Sequence, residues 1–133
     1  MVIIGFDPGL SHTGYAVLNK EGNNINLVQC GLISPKRNKS LSERLFAIFS
    51  EANKLIEDFN PNLVVIENVF YGKNVQSAIK LGQAKGSIML SSEKYGVDMV
   101  DYTPREIKQS IVGNGSASKE QVEFMVKKIF KLD

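Results

Sequence analysis

Cysteine is almost missing from this sequence, and its absence removes a whole class of architecture. The lone Cys30 cannot close an intramolecular disulfide, so a disulfide-stapled secreted scaffold is excluded and a reducing cytoplasm is the expected setting. Long hydrophobic runs are missing too. The longest apolar stretches, such as Leu63-Val-Val-Ile66, fall far short of the ~18–20 residues of a membrane span, so a soluble protein with no membrane partner is expected. The N-terminus has neither a basic region nor a small-residue cleavage site, which argues against secretion. There is no internal repeat and no low-complexity tract. A net charge of +2 is too small to announce a polyanionic partner by itself.

What is present is ordinary globular material. With 133 residues, 43% hydrophobic and 23% charged, the chain suits one domain with a real core and is too short for two. The charge is unevenly spread. Residues 1–67 carry six basic and seven acidic side chains, whereas residues 68–131 carry ten basic and six acidic. Such an excess suits a face that meets phosphates, and it equally suits a solvated helix surface.

The pattern predicts a buried strand over Val2 to Asp7, ended by Pro8-Gly9, and a second over Thr13 to Leu18. Glu21-Gly-Asn-Asn24 is a turn signal that should close a hairpin onto a third strand near Ile25 to Ile33. Ser40 with Glu43 makes a capping box. Leu41, Leu45, Ile48, Phe49, Ala52, Leu55, Ile56 and Phe59 then recur at helical spacing before Pro61. Leu63 to Ile66 reads as a central strand ending in Glu67, Asn74 to about Lys94 as a second helix, and Val97 to Tyr102 as a fifth strand. Helices should follow from Pro104 and from Ser118. This order implies an α/β fold, a mixed five-stranded sheet with helices on both faces, as in ribonuclease-H-like domains.

Asp7 and Glu67 both close apolar strands. If those strands are parallel neighbours, both carboxylates emerge at the carboxyl edge, where open α/β sheets bind ligands. Two adjacent negative charges repel, and they demand a proton, a basic partner or a cation. Mg²⁺ suits oxygen ligands and can bridge to phosphate; Mn²⁺ is the alternative. Each acid alone has an ordinary explanation. Asp7 before Pro-Gly is a common turn residue, and Glu67 could sit in a salt bridge. The pair together points to metal chemistry.

Lys73, Lys80 and Lys85 fall in a stretch from Val69 to Ser92 without an acidic residue, which suits phosphate contact or a solvated helix face. Asn74 is both a DNA-contact candidate and a natural N-cap. Ala78, Gly82 and Gly86 are spaced four apart, and each Gly costs about 1 kcal/mol of helix propensity relative to Ala, so close packing by a neighbour is expected there.

At this point the residues resemble a known family. Gly5-Phe-Asp-Pro-Gly-Leu-Ser-His-Thr-Gly-Tyr15, Ile66-Glu-Asn-Val-Phe-Tyr-Gly-Lys-Asn74, the stretch from Ser77 to Gly86, and the stretch from Tyr102 to Val122 are similar, in order, to the blocks of RuvC-type Holliday-junction resolvases. An Asp-Pro-Gly motif alone is weak; four ordered blocks are specific. The resemblance implies that Asp7 and Glu67 are metal-binding catalytic acids. It implies that Lys108 and Lys119 serve catalysis or DNA contact and that Arg105, in the fourth block, joins the DNA-contacting set. Phe70 would stack on bases near the crossover, although an ordinary core Phe is the plain alternative. It further implies four-way junction DNA as substrate, hydrolysed with Mg²⁺ in bacterial recombination and repair. The implied partners are a second copy of the chain and the branch-migration machinery; the stripe of Ala78, Gly82 and Gly86 is then the expected contribution of this helix to the dimer.

The resemblance also implies a further helix, after the last one here, bearing an Asp-x-x-Asp or Asp/His pair. No acid up to Asp133 matches it: Asp98 and Asp101 belong to the fifth strand, Glu120 and Glu123 to the preceding helix. Weak cleavage and uncovered apolar surface are therefore expected of these 133 residues. Two rival readings remain, a junction-binding module without catalysis and an actin-like phosphate or ATP site. The absence of a duplicated second domain speaks against the latter.

Overall fold

Gly22 takes a φ of +60°, a value open to glycine at no steric cost, and so lets a two-residue turn join the first long hairpin. Its arms are β2 (Thr13–Glu21) and β3 (Asn24–Ile33), paired antiparallel until Glu21 faces Asn24. β2 is therefore longer than the pattern predicts, because so tight a turn leaves Asn19 to Glu21 within the ladder. In this computed structural model, which describes residues 1–68 and 74–133, β1 (Val2–Asp7) pairs antiparallel with β2 and parallel with β4 (Leu63–Glu67). β4 pairs parallel with β5 (Asp98–Tyr102), giving the order β3-β2-β1-β4-β5. The mixed five-stranded sheet matches the expected fold class.

The helices are α1 (Leu41–Phe59), α2 (Val75–Lys94), α3 (Pro104–Val112) and α4 (Lys119–Ile129). The capping box at α1 forms as read, Ser40 Oγ accepting from Glu43 N–H and Glu43 Oε1 accepting from Ser40 N–H, both at 3.2 Å. Asn60 ends the helix in the left-handed region, at φ 44°, a conformation asparagine tolerates better than most. The apolar stripe turns Ile48, Ala52, Leu55 and Ile56 into the core. They meet Ile4, Phe6, Val17, Val64 and Ile66 of the sheet and Ala84 and Ile88 of α2. Strand alternation explains which sheet residues face this layer. The neighbours in register, Gly5, Gly14, Val65 and Glu67, face the other side. On that second face Leu32, Val100 and Tyr102 remain 67%, 38% and 44% exposed.

The turn after Asp7 is built to one shape. A Cβ at Gly9 would lie 2.2 Å from the backbone oxygen of His12, a clash that no side-chain adjustment relieves. Thr13 closes the turn by accepting from Gly9 N–H at 3.1 Å and donating its hydroxyl to Gly9 O at 2.7 Å. Gly9→Ala is expected to cost about 2–4 kcal/mol of stability, read as a lower denaturant midpoint with an unchanged slope; a midpoint equal to wild type would show that the turn is plastic.

Candidate active site

In the parallel pair of β1 and β4, Phe6 lies opposite Ile66. The next residues, Asp7 and Glu67, therefore leave the sheet side by side at its carboxyl edge, about 4.8 Å being the usual strand spacing. Gly14 faces Asp7 across β2, and its missing side chain leaves the face beside Asp7 open: an added Cβ would stand 3.8 Å from Asp7 Cβ. The sequence reading did not single out Gly14, since only the register shows what it faces.

The electrostatics follow from this placement. Burial in the sheet edge, then the charge of Asp7 and a hydrogen bond with it, push the Glu67 carboxyl up to about 7. Lys108, reaching in from α3, pulls the other way. Two neighbouring carboxyls, with all-oxygen donors and an ammonium alongside, suit a hard divalent cation. Among the described residues no group of three or more His, Cys, Asp or Glu side chains is placed to hold a metal.

The other predicted residues that the structure describes lie on α2, α3 and α4 or at their caps. Lys108 is partly buried and faces Glu67. Arg105 is exposed one turn earlier on α3, its stem lying across Gly115, where a Cβ would come within 2.7 Å of Arg105 Cγ. Lys119 opens α4 beside Glu123. Lys80 is exposed on α2. Asn74 caps α2, its side chain accepting from Ser77 N–H at 3.2 Å. Phe70 and Lys73 lie outside the described residues.

Lys85 is engaged within the chain. Its ammonium donates to Asn68 Oδ1 at 2.9 Å and pairs with Asp101 Oδ2 at 3.0 Å, while Asn68 N–H donates to Tyr102 O at 2.7 Å. α2 is thereby tied to the residue that follows Glu67. Lys85→Met is expected to lower stability by about 0.5–1.5 kcal/mol through loss of a charge-assisted contact that is buried at Lys85 and open to water at Asp101; a thermal melt unmoved by the substitution would contradict this.

The stripe on α2 calls for a correction. A Cβ at Gly82 or Gly86 would meet nothing within 4 Å, so among the described residues no neighbour packs closely there. The glycines open outward beside Ile79, Met89 and Leu90, which are 56%, 41% and 66% exposed. No helix among the described residues is long and apolar enough to cross a membrane.

Comparison with known proteins agrees with this geometry. Residues 3–133 match the family model described as crossover junction endodeoxyribonuclease RuvC. The chain is 42% identical to the protein of that name from Dictyoglomus thermophilum, over 99% of this chain and 84% of the relative. It is 41% identical to that from Natranaerobius thermophilus, over 100% and 83%. The solved structure of Thermus thermophilus RuvC in complex with a Holliday junction substrate superposes with a TM-score of 0.93 at 30% identity, covering 100% of this chain and 81% of that one. Matched over residues 3–133 by the family model and sharing its fold with Thermus thermophilus RuvC, the chain belongs to the RuvC family of crossover junction endodeoxyribonucleases.

Proposed function

We propose that the chain is an endonuclease for four-way DNA junctions, acting in bacterial recombination and repair. The observation that carries this reading is the pairing of Asp7 with Glu67 at the carboxyl edge, flanked by Lys108. Asp7 and Glu67 would hold a divalent cation, Mg²⁺ or Mn²⁺. When bound, such an ion neutralises phosphate charge and makes water a stronger nucleophile near neutral pH. The carboxylates contribute fixed oxygens whose mutual repulsion the ion relieves. Lys108 sets positive charge beside the scissile phosphate, where negative charge grows as the bond to the attacking water forms. Arg105 and Lys119 lie on the flanking helices, in reach of neighbouring phosphates, and Phe70 and Lys73 would act on the nearby bases and backbone. Lys80 adds a charge on the exposed side of α2, and Lys85 supports Glu67 through Asn68 before it touches DNA.

A segment with further carboxylates, of the kind the family resemblance implies, would find the open second face beside the pair, with Leu32, Val100 and Tyr102 to cover. Mg²⁺-dependent nicking of a four-way junction, measured against a linear duplex of the same sequence, tests the reading. Junction-selective nicks support it; equal or absent binding of the two DNAs contradicts it.

A four-way junction needs two matched cuts, which a two-fold pair of sites supplies. The outward-facing stripe of Ala78, Gly82 and Gly86, framed by Ile79 and Leu90, supports self-association through α2. Leu90→Glu is expected to shift the protein from dimer to monomer at ~10 µM in sedimentation, a charge at an apolar contact costing several kcal/mol. An unchanged dimer would place the contact elsewhere. Work on chromosomal DNA beside the branch-migration machinery would place the protein in the cytoplasm.

A further inference from the structure

The loop between β3 and α1 holds the longest acid-free basic stretch in the first half of the chain. From Gly22 to Ser42 there is no Asp or Glu, and Lys36, Arg37 and Lys39 stand together within it. All three are exposed, and none makes a side-chain hydrogen bond or ion pair among the described residues. Charge crowded in this way repels itself, so an isolated fold gains nothing from it. A Lys39 N–H to Lys36 O bond of 3.2 Å closes them into one turn.

The fold fixes where that turn sits. At the loop's start, Ser34 Oγ is 2.8 Å from His12 Nδ1. Just past its end, Arg44 Nη2 donates to Leu10 O at 3.3 Å. Both ends are thus tied to the 8–12 turn that follows Asp7. Because the sheet order is β3-β2-β1-β4-β5, the loop lies on one side of the carboxylate pair, while Lys108 and Arg105, on the helix that follows β5, lie on the other.

We propose that Lys36, Arg37 and Lys39 form a second phosphate-binding arm, gripping the DNA backbone on the Asp7 side of the cut. The inference rests on the nuclease reading above and assigns that same site a longer DNA track. β3 is two strands from β1, about 10 Å at the usual spacing. At ~3.4 Å per step of a strand, the arm meets phosphates roughly three nucleotides from the scissile one. It binds backbone charge without reading bases, so it serves every sequence alike.

The test compares two triple variants with wild type in binding a four-way junction, with Ca²⁺ replacing Mg²⁺, over a range of salt. One variant changes Lys36, Arg37 and Lys39 to Gln. The other removes equal charge at the opposite edge of the sheet by changing Lys20, Lys54 and Lys94 to Gln. Each phosphate contact contributes about 0.9 to the slope of log affinity against log salt. The loop variant is expected to lose about 2–3 from that slope with its thermal melt preserved. The control variant should keep the slope. An unchanged slope in the loop variant, or an equal loss in the control, overturns the proposal and leaves the nuclease reading standing. Failure of wild type to bind the junction at all overturns both.

Discussion

Glu67→Gln is expected to abolish nicking while making the metal-free protein more stable at pH 8. The two effects share one cause. In the folded chain the Glu67 carboxyl is pushed up to about 7 from an ordinary value of 4.5, by burial first and by Asp7 second. Between those values the folded state binds more protons than the unfolded chain. The stability associated with Glu67 is therefore fully present below about pH 4.5, falls as pH rises, and is lost once pH passes about 7. A tenfold change in proton affinity corresponds to about 1.4 kcal/mol. Glu67 is only partly buried, and water screens the pair, so the expected gain for the Gln variant at pH 8 is about 1–2 kcal/mol. Denaturant melts without metal at pH 5 and pH 8 check this: the variant should gain over wild type at pH 8 and much less at pH 5. Equal stability at both values would show that the carboxylates are not in conflict. Cleavage should fall at least ~10³-fold, because an amide cannot replace a charged ligand.

Lys108→Met should slow nicking about 10²–10³-fold with junction affinity changed less than about threefold, the pattern of a charge that acts mainly as negative charge develops on the phosphate. It should also leave a mark in the absence of DNA. Lys108 is the group that holds the Glu67 carboxyl down, so its removal raises the Glu67 titration beyond about 7, seen by NMR of the side-chain carboxyl. Lys108→Arg keeps the charge and should recover part of the rate. An unmoved Glu67 titration would place Lys108 away from the pair, and a large loss of affinity with normal turnover would make it a simple DNA anchor.

The two acids were legible in the sequence because each ends an apolar run, and a run of that kind beside a helix predicts a parallel neighbour in a sheet. The capping box of α1 and its buried stripe were legible for a similar reason: both are local patterns with a fixed period. What escaped lies in contacts between distant residues. Lys85 looked like free charge in the acid-free stretch up to Ser92, yet Asp101, sixteen positions on, and Asn68, seventeen before, engage it. The tie from Arg44 to Leu10 spans 34 positions and leaves no periodic trace. Gly82 and Gly86 show the limit from the other side. Their propensity cost is visible in the sequence, but whether a neighbour fills the space is not, and among the described residues none does. The 36–39 turn was hidden by arithmetic, since six basic and seven acidic residues in the first 67 average away a cluster whose loop the fold ties to the turn after Asp7.

The most direct measurement is Mn²⁺ binding without DNA, followed by electron paramagnetic resonance at pH 8 in wild type, Asp7→Asn and Glu67→Gln. Wild type should take up one ion, and each substitution should weaken its uptake at least ~10-fold, since each removes half of the charge that the cation neutralises. Equal uptake by all three proteins would mean that the ion sits elsewhere and that these side chains are not its ligands.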